Sequence, residues 1–141
     1  MFDLIIAAAL AQAADPCNAI ADGATPAGCP QWRLVRRETG LVAFFDPASM
    51  QRDGAAFTVD QRVVFDSEQS ERHVRSFIQR LRFDCAARTV SGLNIRAFDS
   101  AGNMVLEGSS PTPRTATPAP DSPGEALLTE YCPAAGAAPS T

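Results

Sequence analysis

The feature that most constrains this fold is a long stretch in which apolar and polar side chains alternate. The segment "AFTVDQRVVFD" (56–66) places Phe57, Val59, Val63 and Phe65 on one side and Thr58, Asp60, Arg62 and Asp66 on the other. A period of two is typical of a β-strand with one buried face. The segments "VRSFIQRLRFDC" (74–85) and "TVSGLNIRAFD" (89–99) continue the alternation. The pattern therefore predicts a half-buried sheet.

Shorter strand segments flank this stretch, and short turns separate them. The segments "WRLVRR" (32–37) and "LVAFFD" (41–46) precede it, and "NMVLEG" (103–108) follows it. The tripeptide "PAS" (47–49) is predicted to break the second strand, because proline cannot donate to a ladder. Short turns join antiparallel neighbours. We therefore predict one antiparallel sheet of about six strands.

A proline-rich connector and a helix are predicted after the last strand. The stretch 109–124 holds five prolines in sixteen residues, so 109–121 is predicted to be an extended or mobile connector. Ser122 followed by Glu125 forms a capping-box pattern, which predicts a helix over 122–132. Its apolar face contains Leu127, Leu128, Tyr131 and Cys132. Residues 133–141 are predicted to be a disordered tail.

The N-terminus has some features of an export signal. The run "LIIAAALAQA" ends in a small-x-small pattern, which predicts a signal peptide over 1–13. The preceding "MFD" has no basic residue, so a cytosolic chain with an apolar start is the alternative. Residues 14–30 are rich in Ala, Gly, Pro and Asp and are predicted to be a loop-rich lead-in. An even count of four cysteines suits an oxidising compartment.

The cysteines raise a question of burial and pairing. In "LRFDCAART" (81–89), Cys85 falls on the apolar side with Leu81 and Phe83. A buried cysteine can be a small hydrophobe or one half of a disulfide. Cys17 and Cys29 would close a small loop, which chain-entropy reasoning values at roughly 3 kcal/mol.

Several function classes are disfavoured by the composition. The net charge is −4 and all 12 basic residues are arginine, which argues against general nucleic-acid binding. His73, the one histidine, lies in a polar turn without the partners of a triad or zinc site. Asp46, Asp84 and Asp99 each follow an aromatic residue, and turn capping is favoured over a calcium site. We therefore expect no enzyme activity, cofactor or metal.

One set of charged residues has a candidate role in binding. Four arginines fall on the strand side opposite the apolar row: Arg62, Arg80, Arg82 and Arg96. They could form a basic stripe that binds an anionic surface ligand. They could instead pair across strands with Asp60, Asp66 and Asp84. The second interpretation is favoured, and both remain open.

The order of several motifs resembles the surface-adhesin protein E family over Trp32 to Cys132. The similar stretches are "FFDPASMQRDG", "FDCAARTV", "IRAFDSAGN" and "SPGEALLTEYC". The resemblance implies an α+β domain over 31–132, in which one C-terminal helix packs on one face of the sheet and is tethered by a disulfide. The implied pair is Cys85–Cys132, and both residues lie on apolar rows. Cys17–Cys29 is then the second pair.

The resemblance also implies a role in binding at the cell surface. We expect a small exported, non-enzymatic, adhesin-like protein of the envelope or surface, located in the periplasm, at the outer surface or secreted. The alternative is a periplasmic structural or inhibitor-like protein-interaction module. The expected partner is a protein or an anionic surface ligand, with no nucleic acid and no integral membrane segment.

Overall fold

The computed structural model describes residues 15–20 and 26–133, and these form one antiparallel sheet with one helix. The sheet order is β1-β2-β3-β4-β5-β6, and a seventh, two-residue strand pairs with β5. The elements are β1 (Arg33–Glu38), β2 (Leu41–Asp53), β3 (Ala56–Gln69), β4 (Val74–Asp84), β5 (Thr89–Phe98), β6 (Met104–Ser109), β7 (Thr115–Ala116) and α1 (Pro123–Tyr131). The predicted α+β class is confirmed. The predictions for 1–13 and for 134–141 of the tail lie outside the described residues.

The strand β2 runs through the predicted break at "PAS", so that prediction is wrong. The β2–β3 register shifts between Asp46 and Gln51. Within this irregularity, Asp46 Oδ1 accepts from the Ala48 amide at 3.1 Å, and Ser49 Oγ accepts from the Asp60 amide at 2.8 Å. Side-chain oxygens thus replace the ladder bonds that are missing beside Pro47. The strand can continue past Pro47 because these side-chain oxygens accept from the backbone amides of Ala48 and Asp60.

The core lies between α1 and one face of the sheet. Phe57 and Phe83 stack with ring centroids 4.8 Å apart, and Phe45 meets Tyr131 edge-on at 5.7 Å. The three phenylalanines belong to one buried cluster, and Tyr131 packs against it. The cluster consists of Phe45, Phe57, Val59, Leu81, Phe83, Leu127, Leu128 and Cys132. Cluster residues on the same strand are two positions apart, so the alternating sequence pattern places them on the same face of the sheet.

The helix begins where its capping residues predict. Ser122 Oγ accepts from the Glu125 amide at 3.2 Å, and Glu125 Oε1 accepts from the Asp121 amide at 3.3 Å. The C-terminal end is covalently fixed, because Cys132 is joined to Cys85 at the end of β4, with Cα atoms 5.4 Å apart. Within the part of the chain that is described, no helix is long and apolar enough to cross a membrane.

The lead-in packs on the sheet face opposite α1. Its Asp15 and Ile20 amides donate to the carbonyl oxygens of Gly102 and Ser100, at 3.0 and 2.9 Å. A second disulfide joins Cys17 to Cys29. The sheet therefore has one face covered by the helix and the opposite face covered in part by the lead-in.

Candidate binding face

The uncovered part of the second sheet face consists of two rows of polar side chains, which we call the polar face. The strand register places the first row on β3, β4, β5 and β7 and the second on β3 to β6. The first row is Thr58, Arg82, Ser91 and Thr115, and the second is Asp60, Arg80, Asn94 and Ser109. Arg96 and Glu107, which are partners across β5 and β6, adjoin the second row.

Arg80 is held firmly by its neighbours. Its guanidinium donates to Asp60 Oδ1 at 3.0 Å, to Gln51 Oε1 at 3.2 Å and to Thr58 Oγ1 at 3.3 Å. The pairing that was favoured from sequence is therefore present between Arg80 and Asp60. Because both side chains are partly exposed, this ion pair contributes no more than about 1 kcal/mol to stability. Its main effect is to fix the orientation of the guanidinium.

Arg82 and Arg96 differ from Arg80 because both are exposed. Neither forms an ion pair or a side-chain hydrogen bond with any residue in the described ranges. The carboxylate of Asp84 instead accepts from the Ala87 amide at 3.1 Å and caps the β4–β5 turn. Asp66 forms no ion pair within the described ranges either. Cross-strand pairing therefore accounts for only one of the three arginines on the polar face.

Arg62 is the exception among the four predicted arginines, because the structure buries it. It is 9% exposed, and its guanidinium donates to the carbonyl oxygens of Cys17 and Asn18 at 3.4 Å each. Burial lowers the pKa of Arg62. The strand parity puts Arg62 on the correct face, but the lead-in covers that part of it. Arg62 is thus excluded from the exposed stripe.

An open groove of about 620 Å³ crosses the polar face. Its polar lining residues are Asp60, Arg80, Asn94, Arg96, Glu107 and Ser109. Sequence reasoning named the two arginines and the aspartate but missed the other three as site residues. The alternation in β5 already placed Asn94 beside Arg96, so that signal was available. Glu107 and Ser109 could be found only from the β5–β6 register.

The remaining titratable candidates form turns. His73 Nδ1 lies 3.3 Å from Glu68 Oε1 in the exposed β3–β4 turn. Asp99 Oδ1 accepts from the amides of Ala101 and Asn103 at 3.0 and 2.9 Å. Burial acts to raise the pKa of Asp99, but the hydrogen bonds from Asn103, Ala101 and Gly102 outweigh it and lower the pKa. Among residues 15–20 and 26–133, no group of acidic, histidine or cysteine side chains could hold a metal ion.

Comparison with known proteins gives one family and several structural neighbours. The family model for surface-adhesin protein E matches residues 32–133. No curated protein matches the sequence. A crystal structure of protein E from non-typeable Haemophilus influenzae is 18% identical, with 79% of this chain and 84% of that chain covered and a TM-score of 0.49. The selenomethionine form of Haemophilus influenzae protein E is 16% identical, with 70% and 89% covered and a TM-score of 0.47.

Proposed function

The chain belongs to the surface-adhesin protein E family, and from this premise we propose that it is a non-enzymatic binding protein that holds an anionic ligand on its polar face. The family assignment supports an adhesin-like protein of the bacterial surface. Beyond the family assignment, we propose the class of ligand and the residues that bind it.

The observation that carries the proposal is a pair of arginines that have no ion-pair or side-chain hydrogen-bond partner among the residues that the structure describes. Arg82 and Arg96 are exposed on the polar face, next to a third arginine whose orientation is fixed. Arginine presents a planar fork of donors that matches carboxylate, sulfate and phosphate groups in two-point contacts. Because the whole chain carries a net charge of −4, attraction for an anion must come from such a local cluster.

The test is retention on immobilised heparin as the salt concentration rises. We expect wild-type protein to be retained at low salt and released steeply with added salt, because exposed charges are screened. Arg82→Glu combined with Arg96→Glu should abolish retention. The control is Arg72→Glu combined with Arg114→Glu, which makes the same change in charge at exposed positions in the β3–β4 turn and in the connector. The proposal fails if wild-type protein is not retained at low salt, or if both double variants lose retention equally.

We further propose that the protein is exported, to the periplasm, the outer surface or the medium. Two disulfides within the described residues support this location, because such bonds persist in oxidising compartments. In this proposal, the apolar run within residues 1–13 is the signal peptide that directs export.

A second candidate function, a protein-interaction module, is favoured by the edge strand β6. Met104 and Leu106 are exposed there, on a strand whose outer backbone groups can pair with another chain. If this function applies, Leu106→Lys should abolish capture of envelope proteins and Arg82→Glu should leave it unchanged. The opposite result would favour the polar face.

A further inference from the structure

We infer that the groove on the polar face binds an acidic sugar, with the sugar carboxylate on Arg96 and its hydroxyl groups on Asn94, Glu107 and Ser109. This inference rests on the proposed function, and it names the ligand class of the same face. It follows from the kinds of polar group that the groove combines.

The groove carries both signs of charge. Its two arginines, Arg80 and Arg96, are matched in number by two carboxylates, Asp60 and Glu107. Arg80 and Asp60 already neutralise each other at 3.0 Å. Arg96 and Glu107 are Cα partners across β5 and β6, yet no ion pair joins them within the described residues. One guanidinium and one carboxylate thus remain available to a ligand.

This combination disfavours a simple anion that carries no neutral hydrogen-bonding groups. The carboxylate of Glu107 would repel any anionic group bound at Arg96, because like charges at short range raise the free energy, so a ligand there gains from further contacts that offset this repulsion. A carboxylate does accept hydrogen bonds from neutral hydroxyl groups. A ligand with one acid group among several hydroxyls satisfies both residues, and a uronic acid has this composition.

Neutral polar groups complete the lining. Asn94 and Ser109 lie side by side in the second polar row, and both are exposed. An amide and a hydroxyl each donate and accept, which suits the hydroxyl groups of a sugar. The groove, of about 620 Å³, is open to solvent and polar, unlike the enclosed and mostly apolar pockets of typical small-molecule sites. A ligand bound in it would keep much of its surface in water, as a hydroxyl-rich sugar does.

The experiment is calorimetric titration with oligogalacturonate, using neutral malto-oligosaccharide and dextran sulfate as comparison ligands. We expect oligogalacturonate to bind and the neutral oligosaccharide to bind much more weakly. Asn94→Ala should weaken binding about threefold to tenfold, the usual range for one hydrogen bond. Glu107→Gln is the sharpest variant, because it removes the repulsion felt by both anionic ligands but weakens the hydroxyl contacts that only the sugar makes. It should therefore strengthen binding of dextran sulfate more than binding of oligogalacturonate. Arg72→Gln, in the β3–β4 turn, should have no effect.

The two possible failures can be told apart. If oligogalacturonate and dextran sulfate bind with the same salt dependence, Glu107→Gln strengthens binding of both equally and Asn94→Ala has no effect, the sugar inference is overturned. The proposed anionic face would survive that result. If neither anionic ligand binds at low salt, the inference and the proposed function are both overturned. Melting temperatures of the variants should match the wild type, since Asn94 and Glu107 are exposed.

Discussion

Cys85 and Cys132 connect the end of β4 to the end of α1, and their Cα atoms lie 5.4 Å apart. Cys132 belongs to the buried cluster in which Leu127 and Leu128 meet the phenylalanines of the sheet, and Cys85 packs against that cluster. The helix has only nine residues, and a helix of this length is marginal in water by itself. The disulfide therefore keeps the helix on the sheet, whereas the connector before it is attached to the sheet through the two-residue strand β7 and the Ser110 amide.

Replacing this disulfide should strongly destabilise the domain. The bond spans 47 residues, and chain-entropy reasoning gives about 4 kcal/mol for a loop of that length. We expect Cys85→Ala with Cys132→Ala to lower the melting temperature sharply and to speed proteolysis near Arg114. The matched control is Cys17→Ala with Cys29→Ala, a 12-residue separation, for which about 3 kcal/mol is expected.

Non-reducing peptide mapping tests the pairing directly. It should recover one peptide that contains Cys85 and Cys132 and another that contains Cys17 and Cys29. A Cys85 linked to Cys17 or Cys29 would contradict the packed-helix arrangement.

The central strands and the helix could be predicted because their signals are local. In β3 and β4, alternation alone identifies Phe57, Val59, Leu81 and Phe83 as the buried row. The start of α1 follows from Ser122 and Glu125, which are three residues apart. Each of these signals depends on neighbours along the chain, so no tertiary information is needed.

The irregular features could not be predicted because their partners are distant. The strand β2 survives Pro47 partly because Ser49 accepts from the Asp60 amide, which belongs to another strand. Similarly, Arg62 is buried because Asp15 and Ile20 bind the distant turn at 99–102. Strand parity shows which face a side chain occupies, but it does not show what covers that face.

Substitutions of Arg62 and Arg82 should have different effects, because Arg62 supports the fold and Arg82 is proposed to bind the ligand. Arg62→Ala removes the donor to two carbonyl oxygens of the lead-in, so we expect a loss of about 1–3 kcal/mol in stability. Heparin retention should not change. Arg82→Ala should instead weaken heparin retention, and it should alter stability by no more than about 0.5 kcal/mol. Urea unfolding and salt elution measure the two effects, and identical behaviour of both variants would refute the distinction.

Gly102 is expected to be required for docking of the lead-in. Its φ is +89°, and an added Cβ would meet the Asp15 carbonyl oxygen and the Ala19 amide nitrogen, the latter at 2.9 Å. Gly54 is the control, since its φ is +60° and nothing lies within 4 Å. Gly54→Ala should cost about 1–2 kcal/mol through its backbone conformation alone. Gly102→Ala should cost about 1–3 kcal/mol more.

Hydrogen exchange locates the extra effect of Gly102→Ala. The Asp15 and Ile20 amides, which are bonded to Gly102 and Ser100, should exchange faster in that variant only. Equal protection in both variants would show that the close contact has no influence on the lead-in.

Export can be tested with the native leader. We expect the protein outside the cytoplasm, beginning near Ala14 and with all four cysteines oxidised. Cell fractionation with N-terminal sequencing makes this measurement, and a chain that starts at Ala14 after a new methionine is the control that should stay inside. Recovery of only the intact Met1 form in the cytosol, with free thiols, would disprove export.

Tyr131, the one tyrosine of the chain, should titrate above its ordinary range. Burial is the largest cause that raises its pKa from 10.0, the Glu130 carboxylate adds to it, and Arg33 and Arg52 oppose it. Because the folded state favours the neutral phenol, this stabilisation is complete below pH 10.0 and is lost as pH rises through the folded pKa. Ultraviolet absorbance of tyrosinate follows the titration without interference from another tyrosine.

Two substitutions should move this titration in opposite directions. Glu130→Gln removes a negative neighbour, so the pKa of Tyr131 should fall towards its ordinary value. Arg52→Gln removes a positive neighbour, so the pKa should rise further. The same titration in urea should give the ordinary value of 10.0 for all three chains. If the folded wild type titrates at that value, the packing of Tyr131 between Phe45 and Phe57 does not raise its pKa. If Glu130→Gln has no effect, the Glu130 carboxylate does not contribute to the shift.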